Sequence, residues 1–313
     1  MLEFLQPVEH FGRKFDRGCI LFEFSAFREP ERTRFPQIGA FLRAKGVEFN
    51  DVPTPKMLWR GKLWPDLYIA NQLDALRGDE YDFPSVDRAP PLYVKRKEDW
   101  DGDVSLERLS RSYHGETFHA EFIEPMCRKI TGRTSAEIAA KHHRAIWLPL
   151  YWPQTLRARQ NLPTPFYYPR SGCAGIAREF LRTEESRAIS SVQHAVEFET
   201  TAISIAYAVG TPLQFFSVLF VVDESPIYRI TDMDVCAGIS PRTHRMIVEY
   251  RGECDVWEEL FRLGVLLPDE DSGAFLQYSA PINFPLPTLA NVARGWKPKP
   301  TLNDQFWSLM HDA

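Results

Sequence analysis

The stretch Phe215–Arg251, FFSVLFVVDESPIYRITDMDVCAGISPRTHRMIVEYR, decides how the rest of the chain is read. Phe215–Val222 is an unbroken run rich in aromatic and β-branched residues, the pattern of a strand buried on both faces, and Met246–Tyr250 is a shorter run of the same kind. Two strands are therefore expected, flanking an irregular polar connection. In that connection Tyr228-Arg229-Ile230-Thr231 follows the core strand, where a rigid sheet can hold a guanidinium over a pocket and offer an anion two parallel hydrogen bonds. The blander alternative is a surface pair between Arg229 and Asp232 or Asp234.

Outward from this stretch, the pattern is that of an α+β protein with a mixed or antiparallel sheet and a helical layer. Lys14–Phe24 reads as a strand, with Gly18 where the backbone passes close to another group. Pro36–Lys45 places Ile38, Phe41 and Leu42 on one helical face and is closed by Gly46. Lys56–Trp64 reads as a hairpin turning at Arg60-Gly61. Residues 78–102, rich in Asp, Pro and Arg, read as a surface loop or partner-facing insertion. Ser105–Tyr113 and Glu116–Thr131 have helical spacing, and Thr134 with Glu137 forms the capping-box signature of a further helix running to about Trp147. His142 and His143 fall on that helix about 100° apart, which suits solvated or hydrogen-bonded imidazoles better than one metal ion. Residues 166–175, FYYPRSGCAG, form a glycine turn feeding a helix over Ile176–Arg182, a place where backbone N–H groups can face an anion. Cys173 in that turn reads either as a thiol of lowered pKa or as a small packed residue.

Composition sets the outer bounds. A chain of 313 residues, 44% hydrophobic, can bury a large core in one domain or two interleaved ones. The expected division is residues 1–165, residues 166–290 and a tail over 291–313. No window approaches the roughly 18 apolar residues of a membrane span, and no basic segment followed by an apolar one opens the sequence, so a cytoplasmic protein is expected. Five scattered cysteines without a CxxC pair indicate neither a disulfide framework nor a thiolate metal site. A formal charge of −5 argues against a nucleic-acid partner.

Five short motifs in order carry a resemblance: FDRG at 15–18, GRTSAEIAAKHHRAIWLPLYWPQTL at 132–156, YYPRSGCAGIAREF at 167–180, YRITD at 228–232 and FPLPT at 284–288. Together they resemble the flavin-dependent amine-oxidase superfamily, in the branch of UDP-galactopyranose mutase and protoporphyrinogen oxidase. The resemblance implies a substrate domain of sheet and helices covering a flavin held by a cofactor domain, with that cofactor domain reduced or absent here. The family's GxGxxG turn, which rests the FAD pyrophosphate on a helix N-terminus, would precede FDRG, and only 14 residues precede Phe15. Of the mutase residues, Arg229 matches an arginine that contacts the substrate diphosphate. Others differ: Ile20, Ile130 and Phe284 stand where a histidine, a tryptophan and a tyrosine are expected.

The resemblance implies two functions of different class. One is an oxidoreductase or mutase-like subunit acting on a small anionic or nucleotide-sugar-like substrate, with FAD supplied by a partner chain. Its substrate pocket would be lined by Arg229, Tyr228, Arg170, Tyr168 and Trp152, and its cofactor contacts would involve Gly18, Gly172 and Gly175. The other is a cofactor-free binding or scaffolding subunit that keeps the substrate-domain fold. In either case the face formed by FDRG, the Tyr167–Phe180 turn and the core sheet loses its family cover. Phe22, Phe24, Tyr167 and Tyr168 are then expected to meet a protein partner or a second copy rather than the tail, because Pro298 and Pro300 obstruct strand pairing.

Overall fold

In the computed structural model, which describes residues 5–22, 24, 31–65, 104–142, 166–176, 197–267, 275–298 and 302–311, the centre is one eight-stranded sheet. The chain enters through a small separate hairpin, β1 (Val8–His10) and β2 (Arg13–Phe15). Next come helix α1 (Glu31–Ala44), ended by Gly46 at φ +83°, and strand β3 (Phe49–Val52). Strands β4 (Lys56–Trp59) and β5 (Lys62–Trp64) form the expected hairpin, with both turn residues, Arg60 and Gly61, at positive φ. The helical layer is α2 (Leu106–His114), α3 (Glu116–Phe118), a π-helical turn (His119–Ile123) and α4 (Glu124–Thr131). Ser105 caps α2 by accepting from the Arg108 N–H. Strand β6 (Phe166–Pro169) pairs with β3 in a two-stranded sheet. Then follow β7 (Thr200–Gly210), β8 (Val218–Val221), β9 (Ile227–Asp232), α5 (Met233–Cys236), β10 (His244–Tyr250) and α6 (Val256–Arg262). The last elements are β11 (Phe275–Tyr278), β12 (Ile282–Pro285), α7 (Leu289–Ala293) and α8 (Leu302–His311).

The strand order is β11-β7-β10-β9-β8-β4-β5, with β12 continuing the β11 edge along β7. The strand pairs of this sheet are antiparallel except β4 with β8. One face carries Met246, Val248 and Tyr250 against α6 and the turn to Leu266. The opposite face has two apolar ends. At one, Phe15 covers Tyr207, Val209 and Ile247, and at the other Phe118, Phe122 and Met126 of the helical layer cover Met57, Phe220 and Val218. Residues 16–21 cross between those ends.

Several expectations change. Tyr228-Arg229-Ile230-Thr231 belongs to no irregular connection: it is most of β9, paired on both sides and buried throughout. The first strand stops at Phe15, and Phe22 forms only an isolated bridge to Tyr167. Thr134 and Glu137 do make the capping contact, the Thr134 N–H donating to Glu137 Oε2 at 2.9 Å, but no helix follows over residues 135–139. There the backbone bridges outward, Ile138 to Thr288 and Ala139 to Ser105. Tertiary pairing has outcompeted local propensity. The aromatic face is also covered by the chain itself. Phe22 and Phe24 are buried with Ile38 and Leu42 of α1 and Phe306 of α8, so the tail shields this face as a helix and its prolines are no obstacle. Residues 66–103 and 143–165, His143 and Trp152 among them, lie outside the described residues, as does the helix expected at Ile176–Arg182 beyond Ile176. Among the described residues no helix is long and apolar enough to cross a membrane.

Candidate functional site

The crossing segment 16–19 gathers most of the polar chemistry. Strand register sets Arg229 of β9 directly opposite Glu249 of β10, on the face between the two apolar clusters. Arg229 Nη2 donates to Glu249 Oε1 at 2.7 Å and Nε donates to Oε2, a bidentate fork in which both side chains are nearly fully buried, 9% and 7% exposed. Burial pulls the Arg229 pKa down, but the charge and hydrogen bonds of the Glu249 carboxylate outweigh it and hold the guanidinium above the ordinary arginine range. Gly18 runs beside this pair. A Cβ built on it would meet Glu249 Oε1 at 3.7 Å, an ordinary contact, so the position tolerates a small side chain.

The glycine turn after β6 is closed in the same way. Gly172 takes φ +74°, its N–H donates to the Pro169 carbonyl, and the Gly175 N–H donates to the Gly172 carbonyl. Residues 173–176 begin a helix, and the Cys173 N–H at its start faces the buried carboxylate of Asp16. The same carboxylate accepts from the Tyr168 hydroxyl at 2.8 Å. Burial raises the Asp16 pKa against the pull of these donors and of Arg245. Burial also drives the Cys173 thiol well above its ordinary value, which makes it a packed thiol and a poor nucleophile.

Beyond this, Asp232 caps α5 through the Asp234 and Val235 N–H groups and meets His244 Nδ1 at 2.6 Å. Asp234 accepts from the Arg245 N–H at 2.7 Å and from Arg245 Nε at 2.8 Å. The two aspartates adjoining Arg229 in sequence therefore serve His244 and Arg245, and Arg229 takes a partner 20 residues away. The carboxylate keeps His244 above the ordinary histidine pKa.

The structure thus brings Arg229, Gly18, Tyr168 and Gly172 around one segment. Tyr228 sits among the apolar residues under the helical layer. Arg170 lies apart on the surface, hydrogen-bonded to Asn50 at 2.8 Å and paired with Glu48 at 3.3 Å. Sequence reading missed Asp16 as a ligand of the turn and Glu249 altogether. The signal for Glu249 was present: one acid in the apolar run MIVEY, matched to one arginine in IYRIT. Also missed was an open cleft of about 940 Å³ lined by Trp59, Arg60, Lys129, Asp223, Glu259 and Arg262. Its cations are engaged, Arg60 with Glu121, Arg262 with Glu259, and Lys129 Nζ with the carbonyls of Val221, Asp223 and Ile227. All five cysteines are free, and among the described residues no cluster has the makings of a metal site.

No family model matches the sequence, and no curated protein matches it. Solved structures do match. A reduced UDP-galactopyranose mutase aligns over 93% of this chain and 76% of its own, with a TM-score of 0.57 at 12% identity. A protein assigned as a protoporphyrinogen oxidase from Exiguobacterium sp. 255-15 aligns over 90% and 79%, with a TM-score of 0.52 at 13% identity. A putrescine oxidase redesigned in cofactor binding aligns over 88% and 76%, with a TM-score of 0.50 at 10% identity. The chain has the flavin amine-oxidase superfamily fold. A flavin dinucleotide on that fold needs backbone N–H groups free to receive its diphosphate. At the two places the sequence points to, the described residues do not fit this need: the N–H groups of Gly172, Cys173 and Gly175 are engaged by Pro169, Asp16 and Gly172, and residues 8–15 form the β1–β2 hairpin.

Proposed function

We propose that this chain is a cofactor-free binding or scaffolding subunit built on the flavin amine-oxidase fold. The observation that carries this reading is the Arg229–Glu249 fork. An arginine placed to hold a substrate diphosphate must present its donors to a pocket, and here two of them are committed to a carboxylate of the neighbouring strand with water excluded from both groups. Separating such a pair strands a buried charge and costs about 3–5 kcal/mol, more than a weakly held anion returns. Asp16 supports the same reading at the glycine turn, where its carboxyl group takes the Tyr168 hydroxyl and the Cys173 N–H. The competing reading, an oxidoreductase subunit taking FAD from a partner chain, requires both carboxylates to be displaced.

The test is titration of the purified full chain with FAD, and separately with inorganic pyrophosphate, followed by visible absorbance and calorimetry. No saturable binding is expected with either. A protein that purifies yellow, or that takes up one FAD per chain, overturns this reading in favour of the oxidoreductase.

A further inference from the structure

Among the described residues β11 is a free edge of the main sheet, and it is unguarded in a way its continuation is not. The Ser279 N–H donates to the Ile205 carbonyl at 2.8 Å. Antiparallel alternation then turns the backbone of Phe275 and Gln277 toward β7 and leaves the N–H and C=O of Leu276 and Tyr278 facing outward. On β12 the Leu286 N–H donates to Glu199, so the outward positions there are Asn283 and Pro285, and Pro285 has no N–H to offer. With Pro281 between the strands, half of this edge is blocked by proline, whereas β11 carries none of the usual guards: no proline, no lysine, no charge of any kind. It carries no charged side chain, and its two aromatic rings are open to solvent, Phe275 at 50% and Tyr278 at 45% exposure. Each is steadied from within, Phe275 stacked on Phe11 at 5.2 Å and Tyr278 edge-on to Tyr250 at 6.3 Å.

We infer that β11 pairs antiparallel with β11 of a second copy of this chain, about a two-fold axis through Gln277. A two-fold that joins two sheet edges keeps each face on its own side, so the axis must pass through a residue position. Gln277 is the position that sets both outward residues in register. Leu276 of each copy then faces Tyr278 of the other, and their four outward groups per copy are satisfied by one another. The Gln277 side-chain amide, now 3.3 Å from the Tyr278 carbonyl, turns to its twin instead. Charge decides for a second copy over a foreign strand. The run from Phe275 to Ala293 holds no Asp, Glu, Lys, Arg or His, so the edge meets no like charge when set against itself, and it offers no charge by which another protein's strand would be selected. This inference does not depend on the cofactor-free reading.

The experiment is sedimentation velocity of the full chain over a concentration series to the tens of micromolar, with Gln277→Lys, Gln277→Glu and their equimolar mixture. Gln277 is exposed and its backbone serves only β7, so both variants keep the native fold by circular dichroism. The wild type dimerises. Each variant alone sets like charges at the axis and dimerises at least about tenfold more weakly, and the mixture regains the wild-type affinity. A wild type that stays monomeric across the series overturns the inference, whatever other protein it binds. So does a Gln277→Lys chain that dimerises as tightly as the wild type, or a mixture no tighter than its components.

Discussion

Two regions meet at residues 15–24, and they are closed by opposite means. On the main sheet, polar and charged side chains are matched one to one: Arg229 with Glu249, Asp16 with the glycine turn, Asp232 with His244, Asp234 with Arg245. On the β3–β6 sheet, it delivers Phe22 and Phe24 into an aromatic cluster with Phe49, Tyr167 and Phe306, sealed by α1 and α8. The first region uses few contacts of strict geometry, and each requires a partner placed by strand register. The second uses many contacts of little directionality. In both, the chain itself supplies the closing group, a carboxylate in the first region and an aromatic ring of α8 in the second. The two regions should fail differently when that group is removed.

The largest effect is expected in the aromatic region. Phe306 is fully buried between α1 and the Phe22 ring, and Phe306→Ala should cost about 3–5 kcal/mol in urea unfolding. If α8 were an ornament on an already closed face, the loss would stay below about 1 kcal/mol. In the polar region, Asp16→Asn removes the charge that holds the Cys173 N–H and the Tyr168 hydroxyl. The expected loss is about 1–3 kcal/mol, and unchanged stability would show that the carboxylate is not what closes the turn.

The smallest effect concerns pH. Because the Asp232 hydrogen bond raises the His244 pKa, the imidazolium stabilises the folded chain fully below the unfolded value near 6.5. That stabilisation is lost as pH rises through the higher folded value. His244→Gln should therefore flatten a decline of about 1 kcal/mol in stability above pH about 6.5. A wild-type curve that rises with pH across this window, and that the substitution leaves alone, would contradict the assignment.

What the sequence made legible was local. The turn at Arg60-Gly61 needs positive φ at both residues, and the α1 stop at Gly46 and the Thr134–Glu137 capping contact depend on groups within a few residues. β9 was not legible because it is short, buried on both faces and interrupted by Arg229, whose neutralising partner is 20 residues distant on another strand. A charged residue in a buried strand reads as a loop until its partner is known. The role of the tail escaped for a related reason. Its prolines rule against strand pairing, but Phe306, Trp307 and Met310 reach the aromatic cluster from a helix, which asks nothing of a sheet edge. Around the crossing segment, Arg229, Gly18, Tyr168 and Gly172 were singled out from motif order, while the carboxyl groups of Asp16 and Glu249 beside them were not.

Arg229 is held by its own chain, and a double-mutant cycle measures that hold. Arg229→Met, Glu249→Leu and the pair of substitutions together are compared with the wild type by equilibrium unfolding. Each single substitution leaves a buried charge without its partner and should cost about 3–5 kcal/mol, whereas the double substitution replaces the pair with apolar groups and should cost far less, giving a coupling on the order of 2–3 kcal/mol. Additive losses, with a coupling within about 0.5 kcal/mol of zero, would contradict it.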